Sequence, residues 1–293
     1  MKNLIFLTLF LPVIGFAQSP MITEFMADNV SGILDQDSDA SDWIEVLNPS
    51  SDQVSMSGWA LTDDPENLKK WTFSSNARIP AGESIVVFAS SKDRASLFAG
   101  ELHTNFRLEG NNGYLALVDP DGVVASEYVD YPKQHTNISY GRTGDSEGYY
   151  FPATPEEPNK DSEQAPPDKV TYSVEAKTFT EPFTVELSST DPDVTIYYTL
   201  DGKEPTNSLF NTSYSEPIEI TETTRLRTRA YKDGAVPGEL DYVTYFQVDA
   251  ELAAFSSDLP VVIVDSFGTN VDSRPRHGDR NPVSSYFIDR NTE

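Results

Sequence analysis

The sequence predicts an all-β protein built as two β-sandwiches in tandem, joined by a proline-rich linker. Three observations carry this. From Met21 to Asp130, short runs of alternating apolar and polar residues are each closed by a turn cluster, and no stretch keeps a helical period. The runs recur at the spacing of roughly 8–12 residues that sandwich strands show. Between Thr143 and Asp168 the alternation gives way to acid and proline, and it resumes at Phe183.

The first element is Asp42-Trp43-Ile44-Glu45-Val46-Leu47, stopped by Asn48-Pro49. Ile44 and Val46 share one face, and Trp43, Glu45 and Leu47 share the other. Large apolar groups on both faces predict a central strand covered on two sides. Pro49 ends it because proline cannot donate to a ladder. Ser57 to Pro65 repeats the design: apolar strand, acidic end, proline stop. Ile79-Pro80-Ala81-Gly82-Glu83-Ser84 then leads into Ile85-Val86-Val87-Phe88, and Leu102 to Leu108 follows. Asn111-Asn112-Gly113 and Asp119-Pro120-Asp121-Gly122 flank Tyr114 to Val118, which with Val123-Val124 makes a hairpin by turn chemistry. Trp43, Trp59 and Trp71 are expected in the first core. These segments, continuing to Ser139-Tyr140-Gly141-Arg142, resemble in order and spacing the bacterial lamin-tail domain. The resemblance implies an immunoglobulin-like sandwich over residues 18–142.

Residues 143–168 read as an extended, acidic, Pro-rich linker. Phe151 to Asn159 also resembles the closing segment that follows bacterial lamin-tail domains, which would move the boundary to Asn159. The second sandwich is placed at 169–249, with runs at Phe183 to Leu187, Thr195 to Leu200, Ser215 to Ile220, Thr224 to Tyr231 and Val243 to Phe246. Ile196-Tyr197-Tyr198-Thr199, followed by Asp201-Gly202 and Pro205-Thr206, resembles the chitobiase/β-hexosaminidase C-terminal module, which implies a fibronectin-III-like sandwich. Asp201-Gly202 suits a tight turn because glycine accepts positive φ. Residues 250–293 are an incomplete unit. Leu259 to Ser266 reads as a buried strand and Val283 to Ile288 as its partner, with Arg274, Arg276 and Arg280 in the loop from Gly268 to Asn281. Two strands make no independent core. This order of modules resembles exported bacterial proteins that continue into a CotH kinase-like domain, whose catalytic motifs do not occur in the chain.

Residues 1–17 are expected to be a signal peptide. Lys2 supplies the positive start, Leu4 to Phe16 the apolar run, and Gly15-Phe16-Ala17 the small-residue site, with cleavage near Ala17-Gln18. The run is too short to span a bilayer, which takes about 20 apolar residues. A secreted or cell-surface location follows, with no membrane insertion. Cysteine is absent, which excludes disulfides, thiolate metal sites and a cysteine nucleophile. Each domain must therefore rest on core area alone. A net charge of −26, from 47 acidic and 21 basic residues, repels nucleic acid and attracts cations and basic partners.

The candidate metal ligands are Asp35, Asp37, Asp39 and Asp42, with Glu45 nearby. Carboxylates at alternate loop positions can converge on a hard cation, here calcium. The EF-hand pattern fails, since Ala40 replaces the turn glycine and Val46 the bidentate glutamate. The competing reading is a solvated acidic loop. Asp63 and Asp64 are expected to cap the turn before Pro65, the alternative being added metal ligands, and Asp191, Asp193 and Asp201 to form turns. Arg225, Arg227 and Arg229 alternate along one strand and are expected to pair with carboxylates of a neighbouring strand, or else to meet an anionic glycan or an acidic partner domain. Tyr197, Tyr231, Tyr242 and Tyr245 are expected to pack in the core or across strands, or to form a sugar-stacking platform. His103, His135 and His277 are far apart and fit no catalytic motif.

The expected function is a non-catalytic binding and spacer pair, a monomer whose partner is an extracellular protein or polysaccharide. The alternatives are the accessory region of a CotH-type enzyme and a calcium-rigidified stalk.

Overall fold

The computed structural model describes residues 19–96, 98, 100–208, 211–254, 261–265 and 284–288. The expected signal peptide, and the loop bearing Arg274, Arg276 and Arg280, lie outside the described residues. The chain divides into two compact units, Met1–Ser162 and Glu163–Glu293.

The strands of the first unit are β1 (Met21–Met26), β2 (Asp42–Leu47), β3 (Val54–Ser55), β4 (Ala60–Thr62), β5 (Trp71–Thr72) and β6 (Arg78–Ile79). They continue with β7 (Ser84–Ala89), β8 (Leu102–His103), β9 (Gly113–Val118), β10 (Val124–Tyr131), β11 (Ser139–Thr143) and β12 (Ser146–Tyr150). One sheet runs β12-β11-β1-β2-β7-β8, the other β10-β9-β4-β5. They meet through Phe25 of β1, whose ring lies 5.2 Å from that of Tyr128 and 4.8 Å from that of Tyr131, both on β10.

β2 is central, between β1 and β7, and all of Trp43 to Val46 is buried. Ile44 stands opposite Phe25 in the ladder, so it shares Phe25's inward face. Trp43 stands in a row with Met26 and Phe88 on the outer face, where Ala153 packs on the cluster. Trp43 is thus buried, but on the far side of its sheet from the inter-sheet core. Its neighbour Glu45 faces Glu24 across the ladder.

The residues expected to begin a linker instead belong to the first unit. β12 pairs with β11 over five residue pairs, from Ser139↔Tyr150 to Thr143↔Ser146. The segment after it folds back: Asn159 Nδ2 donates to Thr23 O (3.0 Å) and to Arg142 O (3.1 Å). The physical reason is that β2's outer face carries Trp43 and Glu45, which need a cover. Acid and proline in this stretch mark a strap laid over a sheet, and local composition does not distinguish that from a spacer.

The second unit contains β13 (Thr171–Tyr172), β14 (Lys177–Phe179), β15 (Phe183–Val185), β16 (Leu187–Ser188) and β17 (Thr195–Thr199). β18 (Thr212–Ser213), β19 (Ile218–Ile220), β20 (Thr224–Tyr231) and β21 (Asp241–Gln247) complete it. A five-stranded sheet β14-β21-β20-β17-β18 packs on the pairs β13-β16 and β15-β19. Val185, Leu226, Val236 and Tyr245 are its most deeply buried apolar residues. A one-turn helix, α1 (Ala250–Ala254), leads to β22 (Val261–Asp265), which pairs antiparallel with β23 (Ser284–Ile288).

Candidate functional site

Asp35 organises the acidic loop of the first unit. Its Oδ1 accepts the backbone N–H groups of Asp37 (3.0 Å) and Asp39 (3.1 Å), and its Oδ2 accepts the Ser41 hydroxyl at 2.9 Å. These bonds wrap the chain around one carboxylate and hold Ser38 at φ 67°. The oxygens of Asp35, Asp37 and Asp39 come within 4.8 Å of one another, so three of the four expected ligands do converge.

A side chain of the protein already reaches that point. Lys92 Nζ lies 2.6 Å from Asp35 Oδ2, 2.8 Å from Asp37 Oδ2 and 2.9 Å from Asp39 Oδ2, and Arg94 adds a second cation 2.8 Å from Asp37. Burial works against the Asp35 charge, but the Lys92 ammonium and the loop N–H groups outweigh it and hold the carboxyl down at about 2. The same contacts raise Lys92 above its usual range against the opposing effect of burial. The trio fits a calcium ion only if Lys92 leaves.

Asp42 is outside this group. It opens β2 and accepts a long bond, 3.5 Å, from the Asn29 N–H, and a further backbone bond from Leu108. Burial, with the nearby Asp28 charge, pushes its carboxyl up to about 6. Glu45 also stands apart, bonded to Thr23 Oγ1 (2.5 Å), Ser84 Oγ (3.0 Å) and the Glu156 N–H (2.5 Å). Beside it, Glu24 accepts the Thr154 N–H (3.0 Å), the Thr154 hydroxyl (2.7 Å) and the Ser139 hydroxyl. Two buried carboxylates therefore fasten the strap, and burial raises the Glu45 pKa. Nothing local signals the Glu24–Glu45 pair in the sequence. Both residues read as ordinary strand carboxylates until the ladder sets them side by side.

Where the strap ends, a groove of about 790 Å³ opens. Its floor is the outer-face end of the sheet, with half-buried Met21 and Leu47. Its walls are the turn at Gly82-Glu83, the β11–β12 turn at Gly144-Asp145, and Glu156 to Asn159 of the strap.

Ser90 Oγ and His103 Nδ1 are 2.9 Å apart. Both are buried, His103 stacks on Phe88 at 5.4 Å, and burial together with the Arg94 charge lowers the imidazole pKa. Ser90 also accepts the Lys92 N–H at 3.3 Å, so the pair braces a loop. Asp64 caps its turn by accepting the Glu66 N–H at 2.9 Å, while Asp63 pairs with Lys70 at 2.6 Å.

In the second unit the arginine row underlies the signature loop. Arg227 donates to Gly202 O and Arg229 to Glu204 Oε1, both at 2.6 Å, and Arg225 stacks on Tyr242 at 4.4 Å. Only Arg229 meets a carboxylate in these contacts; Arg227 uses a backbone carbonyl instead. Asp201 accepts the Lys203 N–H at 3.1 Å, and Gly202 takes φ 77°, as its turn requires. The four tyrosines do not form one platform. Tyr245 is fully buried, Tyr197 and Tyr231 meet edge to face at 5.5 Å, and Tyr242 is half exposed.

Two sandwiches with separate cores define the chain as an all-β tandem of immunoglobulin-like modules. Residues 17–132 match the family model of the Lamin Tail Domain, and residues 174–241 match that of the Chitobiase/beta-hexosaminidase C-terminal domain. The first match stops before β11, β12 and the strap, which complete the unit in three dimensions. No curated protein matches the chain.

Proposed function

We propose that the protein is an exported binding and spacer tandem, in which the first sandwich engages an extracellular protein or polysaccharide and the second holds it at a distance. The observation that carries this is the groove beside the strap: an open concavity with an apolar patch in its floor and polar walls, built from two turns and the strap. Binding residues sit preferentially on loops held by a rigid scaffold, and pockets of this size take ligands. The cationic and imidazole side chains at the opposite end of the sheet serve structure: Lys92 and Arg94 neutralise a loop and His103 braces one.

The test is retention on cell-surface material. The labelled chain should bind envelope preparations saturably, and treatment with protease or glycosidase should show which class of partner is removed. Binding that rises linearly with concentration and survives both treatments would be non-specific and would defeat the reading.

A further inference from the structure

The groove's own chemistry narrows the partner. Glu83, Asp145, Glu156 and Glu157 line its walls and are exposed, and buried Glu45 lies in its base. The single cation that lines it, Arg142, is directed to internal partners. Its guanidinium donates to Tyr128 Oη (3.0 Å), Glu127 O (2.8 Å) and Glu147 Oε1 (3.0 Å), and it lies 4.2 Å over the Tyr128 ring. Glu147 thus meets the arginine charge, and the wall carboxylates remain as an uncompensated negative rim.

Below that rim, beside Glu45, the floor carries an apolar patch. Met21 stands opposite Leu47 in the ladder, and both remain half-buried where the strap ends. A negative rim over an apolar patch is complementary to one kind of side chain: a long aliphatic stem ending in a cation. Lysine and arginine lay their methylenes on apolar surface while the charged head stays at the polar edge. An anionic or neutral glycan would leave the rim charges unmet.

We infer that the groove between the Gly82-Glu83 turn, the β11–β12 turn and the strap docks a basic peptide segment of a partner protein, with a lysine or arginine stem on Met21 and Leu47 and its cation among Glu83, Asp145 and Glu157. This rests on the reading of the first sandwich as a binding module and names its partner's chemistry.

The probe is a short labelled peptide bearing three lysines separated by single alanines, titrated into the full chain at fixed ionic strength and followed by anisotropy. Because the whole protein is acidic, the comparison is between two variants of equal charge. One is Glu83→Gln/Asp145→Asn/Glu157→Gln in the groove, the other Glu66→Gln/Glu109→Gln/Asp121→Asn at exposed sites elsewhere on the same unit. Three solvent-exposed ion pairs together are worth about tenfold in affinity, so the groove variant should bind about tenfold more weakly and the distant variant within about twofold of wild type. Equal weakening by both would reduce the effect to polyelectrolyte attraction and overturn the inference. A second probe replaces lysine by diaminopropionate, which keeps the charge and removes the stem. It should bind several-fold more weakly, and equal affinity would remove the apolar patch from the account. Saturable retention on envelope polysaccharide with no affinity for the peptide would overturn the groove assignment while leaving the binding-module reading intact. Both variants alter exposed side chains, and unchanged melting temperatures verify that the fold is preserved.

Discussion

Lys92 Nζ lies 2.6 Å from Asp35 Oδ2, and the Asp35 side chain is fully buried. The contact joins residues 57 positions apart and turns a repulsive acidic loop into a neutralised one. Removing the ammonium would leave a buried carboxylate without its main counter-charge, which costs about 3 kcal/mol. Lys92→Met should lower the melting temperature of the first unit accordingly, as measured by thermal unfolding.

The same geometry predicts the response to calcium. In the wild-type chain Lys92 competes for the three carboxylates, so millimolar calcium should leave the melting temperature unchanged. In Lys92→Met the trio is free to take the ion, and at a hundredfold excess over Kd the gain is about 2.7 kcal/mol. A wild-type shift as large as the variant's would show that Lys92 does not hold the site.

Asp35 and Asp42 predict opposite pH dependences. Asp42 is raised to about 6 by burial, above its value in an unfolded chain of about 3.9. The folded state therefore binds its proton more tightly, and the stability this contributes is complete below about pH 4 and lost as pH rises through about 6. Asp35, held down at about 2, contributes stability present above about pH 4 and lost as pH falls through about 2. Stability should peak in mild acid. Asp42→Asn removes the upper limb and should stabilise the protein at pH 7 by about 2 kcal/mol. A denaturant titration across pH 3–8 on both chains measures this.

Gly141 has no room for a side chain. A Cβ there would lie 2.2 Å from Thr23 O and 2.9 Å from Glu24 Cα, both backbone atoms of the adjacent strand. Gly141→Ala must push β11 from β1 and should cost about 2 kcal/mol, read as a lower denaturant midpoint with an unchanged slope.

The strap predicts where the first unit can be cut. A chain ending at Lys160 keeps β12, the cover over Trp43, and the bonds to Glu24 and Glu45. A chain ending at Arg142 loses β12, the cover and the strap's bonds, and leaves two carboxylates beside a tryptophan with only the Thr23, Ser84 and Ser139 hydroxyls as partners. The longer fragment should melt cooperatively. The shorter should be unfolded or lose most of its transition, in a comparison by calorimetry.

The strands were legible because their information is local. Asp42 to Leu47 announces a two-faced central strand through its own alternation, and Asp201-Gly202 announces its turn through backbone chemistry. Asp35, Asp37 and Asp39 were legible as a converging set for the same reason. What decides their chemistry was not, since Lys92 belongs to another strand's exit loop and only the fold brings it there. Asp42 looked like a fourth ligand by spacing, yet it starts the next strand, and strand direction carries it off. The strap was misread for a related reason: a segment that covers a sheet needs no apolar period of its own.

The central claim is that the first sandwich binds and the second serves as spacer. Residues 19–160 and 163–254, each containing a complete core, can be made separately and compared with the joined chain for saturable retention on cell envelopes. The first fragment should bind with the affinity of the joined chain, and the second should show no saturable binding. Equal binding by the second fragment, or its loss from the first, would contradict it.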